Sequence, residues 1–198
     1  VEVRAGTRYS LIFWVKDSKE ACDANTCPWY RRGAEAGDSD AQYNWGRCLM
    51  EGDGSGRSAD AVEGLRWYRM AAAQENVQAL NALAKLHWDG EAVPWDPSRA
   101  VALWRRASEL NYPKAQSNLG GLLLTGADGQ APHNPPEGAQ WLRRAAEQGD
   151  SDAAMKLSVY LRRQGSPEAL RWLRSAAERG HPQACLAAAE VHWHGELE

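Results

Sequence analysis

Residues 141–157 read WLRRAAEQGDSDAAMKL. Trp141, Ala145 and Ala146 stand at helical spacing, with Arg143 and Arg144 between them. Gly149 follows the last helical residue, where a left-handed cap favours a residue without a Cβ. Asp150, Ser151 and Asp152 offer N-capping oxygens. Ala153 and Leu157 then begin a new apolar stripe at i, i+4. The stretch is the end of one helix, a tight turn and the start of the next.

The same phrase recurs along the chain. The small pairs that open its last helical turn are Gly33-Ala34, Ala71-Ala72, Ala107-Ser108, Ala145-Ala146 and Ala176-Ala177, spaced by 38, 36, 38 and 31 residues. Four residues before each pair stand Trp29, Trp67, Leu103, Trp141 and Trp172; in the third copy Trp104 sits one place later, which blurs the register there. Four residues after each pair begins stand Gly37, Glu75, Asn111, Gly149 and Gly180, with Asn76 beside Glu75 as a substitute cap. Eight residues after it stand Ala41, Ala79, Ala115, Ala153 and Ala184, and four further on Trp45, Leu83, Leu119, Leu157 and Ala188. Each copy closes near a glycine: Gly52, Gly90, Gly126, Gly165 and Gly195.

Alanine columns let antiparallel helices approach closely, Trp and Leu columns fill the space between pairs, and glycine releases the chain from a helix end. A period of 31–38 residues with two helices per unit is a solenoid. The expected fold is all-α, a right-handed α-α superhelix of helix pairs over residues 29–198. Helices are expected at 28–36, 38–50, 59–74, 77–89, 97–110, 113–125, 136–148, 151–164, 166–179 and 182–194. The chain thus opens on the second helix of one pair and closes on the first helix of another. The loop Ala127–Pro136 is long and rich in Gly and Pro, whereas Gln164–Pro167 is nearly no loop at all.

The pattern resembles the Sel-like repeat, a relative of the tetratricopeptide repeat, which runs A-x-x-x-L-G-x-x-Y-x-x-G-x-G, a loop, then A-x-x-W-x-x-K-A-A-E-Q-G. Ala115, Leu119, Gly120, Gly126, Trp141, Arg144, Ala145, Ala146, Glu147, Gln148 and Gly149 carry the match, over residues 29–195 as a whole. The family's Tyr is replaced by Leu49, His87, Leu123, Leu161 and His192. The resemblance implies an interaction scaffold or a structural subunit whose first helices line a concave face. Polar residues on those helices, Gln42, Asn81 and Asn118, are the candidate partner contacts. Trp residues outside the Trp column (Trp14, Trp45, Trp88, Trp95, Trp193) read as packing, and any left exposed is a hot-spot candidate.

Residues 1–16, VEVRAGTRYSLIFWVK, do not repeat; β-branched and aromatic alternation around Gly6-Thr7 predicts a β-hairpin. Residues 17–28 read as a linker, with Pro28 at a helix start. Val3, Gly6, Arg8, Tyr9, Leu11 and Trp14 resemble the closing strands of prolyl-hydroxylase-type 2-oxoglutarate and Fe(II) dioxygenases. By that resemblance Arg8 pairs with the distal carboxylate of 2-oxoglutarate, and residues 1–16 are a remnant of an upstream oxygenase domain. The chain then is the substrate-recruiting C-terminal part of such an enzyme, not catalytic by itself, and needs 2-oxoglutarate and Fe(II) only if that domain exists. Otherwise no cofactor is expected. A first residue of Val marks a processed product or a piece of a longer chain.

Composition narrows the remaining classes. A net charge of −3 gives no basic excess for nucleic acid. No apolar run approaches the roughly 20 residues of a membrane span. Cys22 and Cys27 are either a local disulfide or free thiols, since compartment decides. Gly52-Asp53-Gly54-Ser55-Gly56 lies between helices and is a loop, not a phosphate cradle. His192, His194 and Glu196 resemble metal ligands in type, but i, i+2 side chains on a helix diverge; His87 and His192 read as core replacements for the repeat's Tyr. Arg31, Arg69, Arg105, Arg143 and Arg174 recur two places before the small pairs. Glu35, Glu109, Glu147 and Glu178 follow four of them as expected i, i+4 partners. No nucleophile motif or paired catalytic carboxylate stands out, and the expected partner is a protein or a larger assembly.

Overall fold

The structure, a computed structural model, describes residues 29–51 and 60–193. The hairpin and linker expected over residues 1–28, with Arg8, Trp14, Cys22 and Cys27, lie outside the described residues, as do Gly52–Gly56, His194 and Glu196. The described residues are helical throughout, apart from turns and connections. Helix α1 covers 29–35. It is followed by α2 (Ser39–Glu51), α3 (Ala61–Ala73), α4 (Val77–Asp89), α5 (Pro97–Glu109) and α6 (Pro113–Thr125). Then come α7 (Pro135–Glu147), α8 (Ser151–Arg163), α9 (Glu168–Glu178) and α10 (Pro182–Trp193). These bounds fall within about two residues of those the spacing predicts. The long third-repeat loop is partly ordered, since Gly126–Gly129 forms a 3-10 turn. The helices pair as α2 with α3, α4 with α5, α6 with α7 and α8 with α9, each pair stacking on the next.

The joints between units share one geometry. At Gly149 the backbone turns left-handed, with φ of 99°. Asp150 N–H donates to the Ala145 carbonyl at 3.0 Å and Gly149 N–H to Ala146 at 3.0 Å, the two bonds of a Schellman cap. Asp150 is the N-cap chosen from the three candidates, its Oδ1 accepting from Ala153 N–H at 2.7 Å. One residue therefore ends a helix and its neighbour starts the next. The equivalent pairs Gly37/Asp38, Glu75/Asn76, Asn111/Tyr112 and Gly180/His181 make the same backbone bonds. Asn76 is not a substitute C-cap. Glu75 itself takes the left-handed conformation at φ of 61°. Asn76 instead caps α4, accepting from Ala79 N–H.

Packing explains the columns and ranks them by depth. Ala71, Ala107, Ala145 and Ala176 are fully buried, and so are Ala79, Ala115, Ala153 and Ala184. The Trp column packs less deeply: Trp29 is 70 % exposed, Trp67 and Trp141 are half-buried against the core clusters beside them, and Trp172 is buried. The position one residue later is the inner one, holding Tyr68, Trp104, Leu142 and Leu173, all buried. Trp104 is thus no blurred member of the Trp column; it fills the core site that Leu142 fills in the next unit. Within each pair a further seam of small residues lets the backbones meet. A Cβ on Gly120 would lie 2.8 Å from the Gly138 carbonyl oxygen, and one on Gly46 3.0 Å from that of Gly64. Ala84 with Ala100 and Ser158 with Ala169 occupy the same places in the other two pairs.

Candidate partner-binding groove

The first helices of successive units, α4, α6 and α8, line a groove of about 640 Å³ that reaches Gln183 at the start of α10. Its apolar side chains include Trp88, Leu122, Met155, Val159 and Tyr160; its charged ones are Lys85, Lys156, Arg163 and Asp89. Trp88 is steadied by Trp104 behind it, with ring centroids 5.9 Å apart. Val159 is 40 % exposed, so apolar surface is presented to solvent there.

The three polar residues singled out from the first helices fall in three different places. Gln42 is 2 % exposed. Its amide donates to the Ala34 carbonyl at 3.3 Å and its oxygen accepts from Gln74 at 2.8 Å. Gln116 and Gln148 repeat this arrangement at 2.9 Å two units on. Gln42 therefore belongs to the joint between units, and solvent does not reach it. Asn81 faces the partner helix of its own pair. Its Oδ1 accepts from the Trp104 indole at 3.0 Å and from Asn118 Nδ2 at 3.1 Å, which satisfies the polar handle of a buried Trp. In the preceding pair Tyr43 stacks on Tyr68 at the same place, and burial pushes both phenols up. Asn118 alone of the three lines the groove.

The groove's own signal in the sequence is a different column. Six residues after Ala41, Ala79, Ala115 and Ala153 stand Arg47, Lys85, Gly121 and Val159. The last three all line the groove. Lys156 lies across Gly121, with its Nζ 3.4 Å from Ser117 Oγ and 3.5 Å from the Ser117 carbonyl oxygen. Trp95, in the connection from α4 to α5, is 54 % exposed and is the described Trp outside the columns that fits a hot-spot role.

The arginines do not follow the expected pairing throughout. Arg31 does pair with Glu35 at 2.8 Å. Arg105 instead reaches Glu137 of α7 at 2.5 Å, and Arg143 reaches Glu168 of α9 at 2.9 Å. Second helices of adjacent units lie close enough that a long guanidinium spans them. Arg106 joins Glu75 and lies 3.6 Å from Glu109. Glu137 also accepts from the Trp141 indole at 3.2 Å and from Asn134 at 3.0 Å. The Arg105 hydrogen bond holds the Glu137 carboxyl below its ordinary range, against the opposing effect of burial. None of these residues lines the groove.

His87 is 8 % exposed, inside the core as a replacement for the repeat's Tyr, and its Nδ1 has no hydrogen-bond partner. Among the described residues no group of three or more His, Cys, Asp or Glu could hold a metal ion. No described helix is long and apolar enough to cross a membrane.

The family model described as Sel1 repeat matches residues 29–38, 39–76, 77–112, 113–150 and 151–181. An F-box protein of Arabidopsis thaliana is 32% identical over 118 residues, 59% of this chain and 31% of that protein. The crystal structure of a protective antigen of uropathogenic Escherichia coli, displaying an SLR fold, is 28% identical with a TM-score of 0.75. That match covers 85% of this chain and 36% of the antigen. A Sel1 repeat protein from Oxalobacter formigenes shares the fold with a TM-score of 0.78 at 24% identity, covering 88% of this chain and 71% of that one. The chain thus spans about a third of the length of the Arabidopsis relative and of the antigen.

Proposed function

Because the chain belongs to the Sel1 repeat family, we propose that it is a protein-interaction scaffold that docks a segment of a partner protein in its concave groove. The carrying observation is the groove itself. It combines aromatic and aliphatic anchors with charged groups on consecutive first helices, and the rigid helix pairs behind it hold those side chains in place. The repeat's most conspicuous residues are consumed by packing. What differs between copies lies in the groove, where a solenoid can vary its side chains without disturbing its joints.

The test is selection of a random peptide display library on the intact chain. Binding should fall when Val159→Arg blocks the groove and should survive Arg174→Glu on a second helix. Peptides indifferent to Val159→Arg would refute the groove as the docking surface.

A further inference from the structure

Two neighbouring glycines in α6 are unlike in kind. Gly120 is required by packing, since a Cβ there would sit 2.7 Å from Leu142 Cγ and 2.8 Å from the Gly138 carbonyl oxygen. Gly121 is not. The three atoms nearest a Cβ there all belong to the Lys156 side chain, at 3.5–3.7 Å, an ordinary contact with a flexible chain. Gly121 sits inside a 13-residue helix in helical conformation, where glycine is about 1 kcal/mol poorer than alanine. Neither capping nor close approach explains it. What it does is remove a side chain from the floor of the groove, between the Lys85 and Val159 positions of the adjacent units.

The charge around this gap is unlike that of the whole molecule. The chain carries a net −3. Among the described residues the groove presents Lys85, Lys156 and Arg163 against the carboxylate of Asp89, a local balance of two positive charges. Lys156 is the cation nearest the gap. Its stem lies over Gly121, and among the described residues its ammonium is held by Ser117 alone, at the long distances of 3.4 and 3.5 Å. A weakly held cation beside an apolar gap is poised to exchange a hydroxyl for a carboxylate.

We infer that the gap over Gly121 takes one large apolar side chain from an acidic protein segment, whose carboxylates pair with Lys156, Lys85 and Arg163. The incoming side chain packs between Trp88 and the Val159–Tyr160 wall, and the lysine stem swings aside to meet the flanking carboxylate. This inference rests on the groove being the docking surface and adds the chemistry of what docks there.

The probe is the same peptide display library, now read by sequence. Peptides that depend on the groove should be enriched in Asp and Glu around one Trp, Phe, Leu or Met. Binding of such a peptide should weaken as salt is raised, and Lys156→Glu should reduce its affinity by roughly tenfold or more, about 1.4 kcal/mol. Gly121→Leu, which fills the gap, should do the same while leaving the helical circular dichroism intact. If Gly121→Leu fails to fold, the exposed Lys156→Glu still decides the charge requirement, and replacing the peptide's large residue by alanine decides the gap. Groove-dependent peptides that are neutral or basic, or binding unchanged by Lys156→Glu, would overturn this inference and leave the docking surface standing. Peptides insensitive to every groove substitution would overturn the docking surface itself.

Discussion

Gly120→Ala and Gly121→Ala, one residue apart, should change stability in opposite directions. For Gly120→Ala the new methyl would enter at 2.7 Å from Leu142 Cγ and 2.8 Å from the Gly138 carbonyl oxygen. Leu142 is fully buried, and the oxygen is main chain, so relief requires α6 and α7 to separate. Overpacking of this kind costs about 1–3 kcal/mol, against a helix-propensity gain of about 1 kcal/mol. The net expectation is a loss of up to about 2 kcal/mol. For Gly121→Ala the atoms nearest the methyl belong to the flexible Lys156 stem, at ordinary contact distance. The propensity gain of about 1 kcal/mol then stands alone, and a domain of this size should melt roughly 2–4 °C higher. Urea titration followed by helical circular dichroism measures both. The midpoints should bracket the parent protein, Gly120→Ala below and Gly121→Ala above. A lowered midpoint for Gly121→Ala would mean that Gly121 is a packing residue after all, and the case for an open gap in the groove would fail with it. A neutral Gly120→Ala would mean that the pair seam is looser than its distances imply.

Glu137→Gln should lower stability by about 1 kcal/mol at neutral pH, because the amide loses a charge-assisted bond from the partly exposed Arg105. Since the folded pKa of Glu137 is depressed, its contribution is present above the ordinary carboxylate pKa and is lost as pH falls through the folded value. Acid titration of the denaturation midpoint should therefore be shallower in Glu137→Gln than in the parent, and identical slopes would contradict the assignment. His87→Leu should raise stability by about 1 kcal/mol, seen as a higher urea midpoint, since it removes an unpartnered buried nitrogen and installs the residue that Leu49 and Leu123 supply in the same column. Glu75→Gly should also raise it. It relieves a left-handed non-glycine residue worth about 1 kcal/mol and gives up only an exposed, water-screened pair with Arg106.

Residues 141–157 show how far the sequence alone reaches. A left-handed cap followed directly by an N-cap is a local event, set by the φ of one residue and the oxygen of the next. Five copies at a steady spacing make that event, the ten helix segments and the close approach of the Ala columns legible from the order of residues. Glu75, by the same local rules, is a gap in the pattern. The strain it accepts is offset by tertiary packing of the joint, which no local rule contains. The Trp column looks like uniform filling and is buried by degrees, from exposed Trp29 through half-buried Trp67 and Trp141 to buried Trp172, because neighbouring helix positions differ by about 100° and only the stacked units decide which of them points furthest inward. The same rotation scatters the three polar candidates. Gln42, Asn81 and Asn118 lie one, two and three places after their Ala, so one is sealed in a joint, one faces its partner helix and one reaches the groove. Repetition in the sequence therefore determined the unit, its joints and its family. The packing of one unit on the next decided which side chains remain for a partner, because the facing of a residue is a property of its neighbours' surfaces.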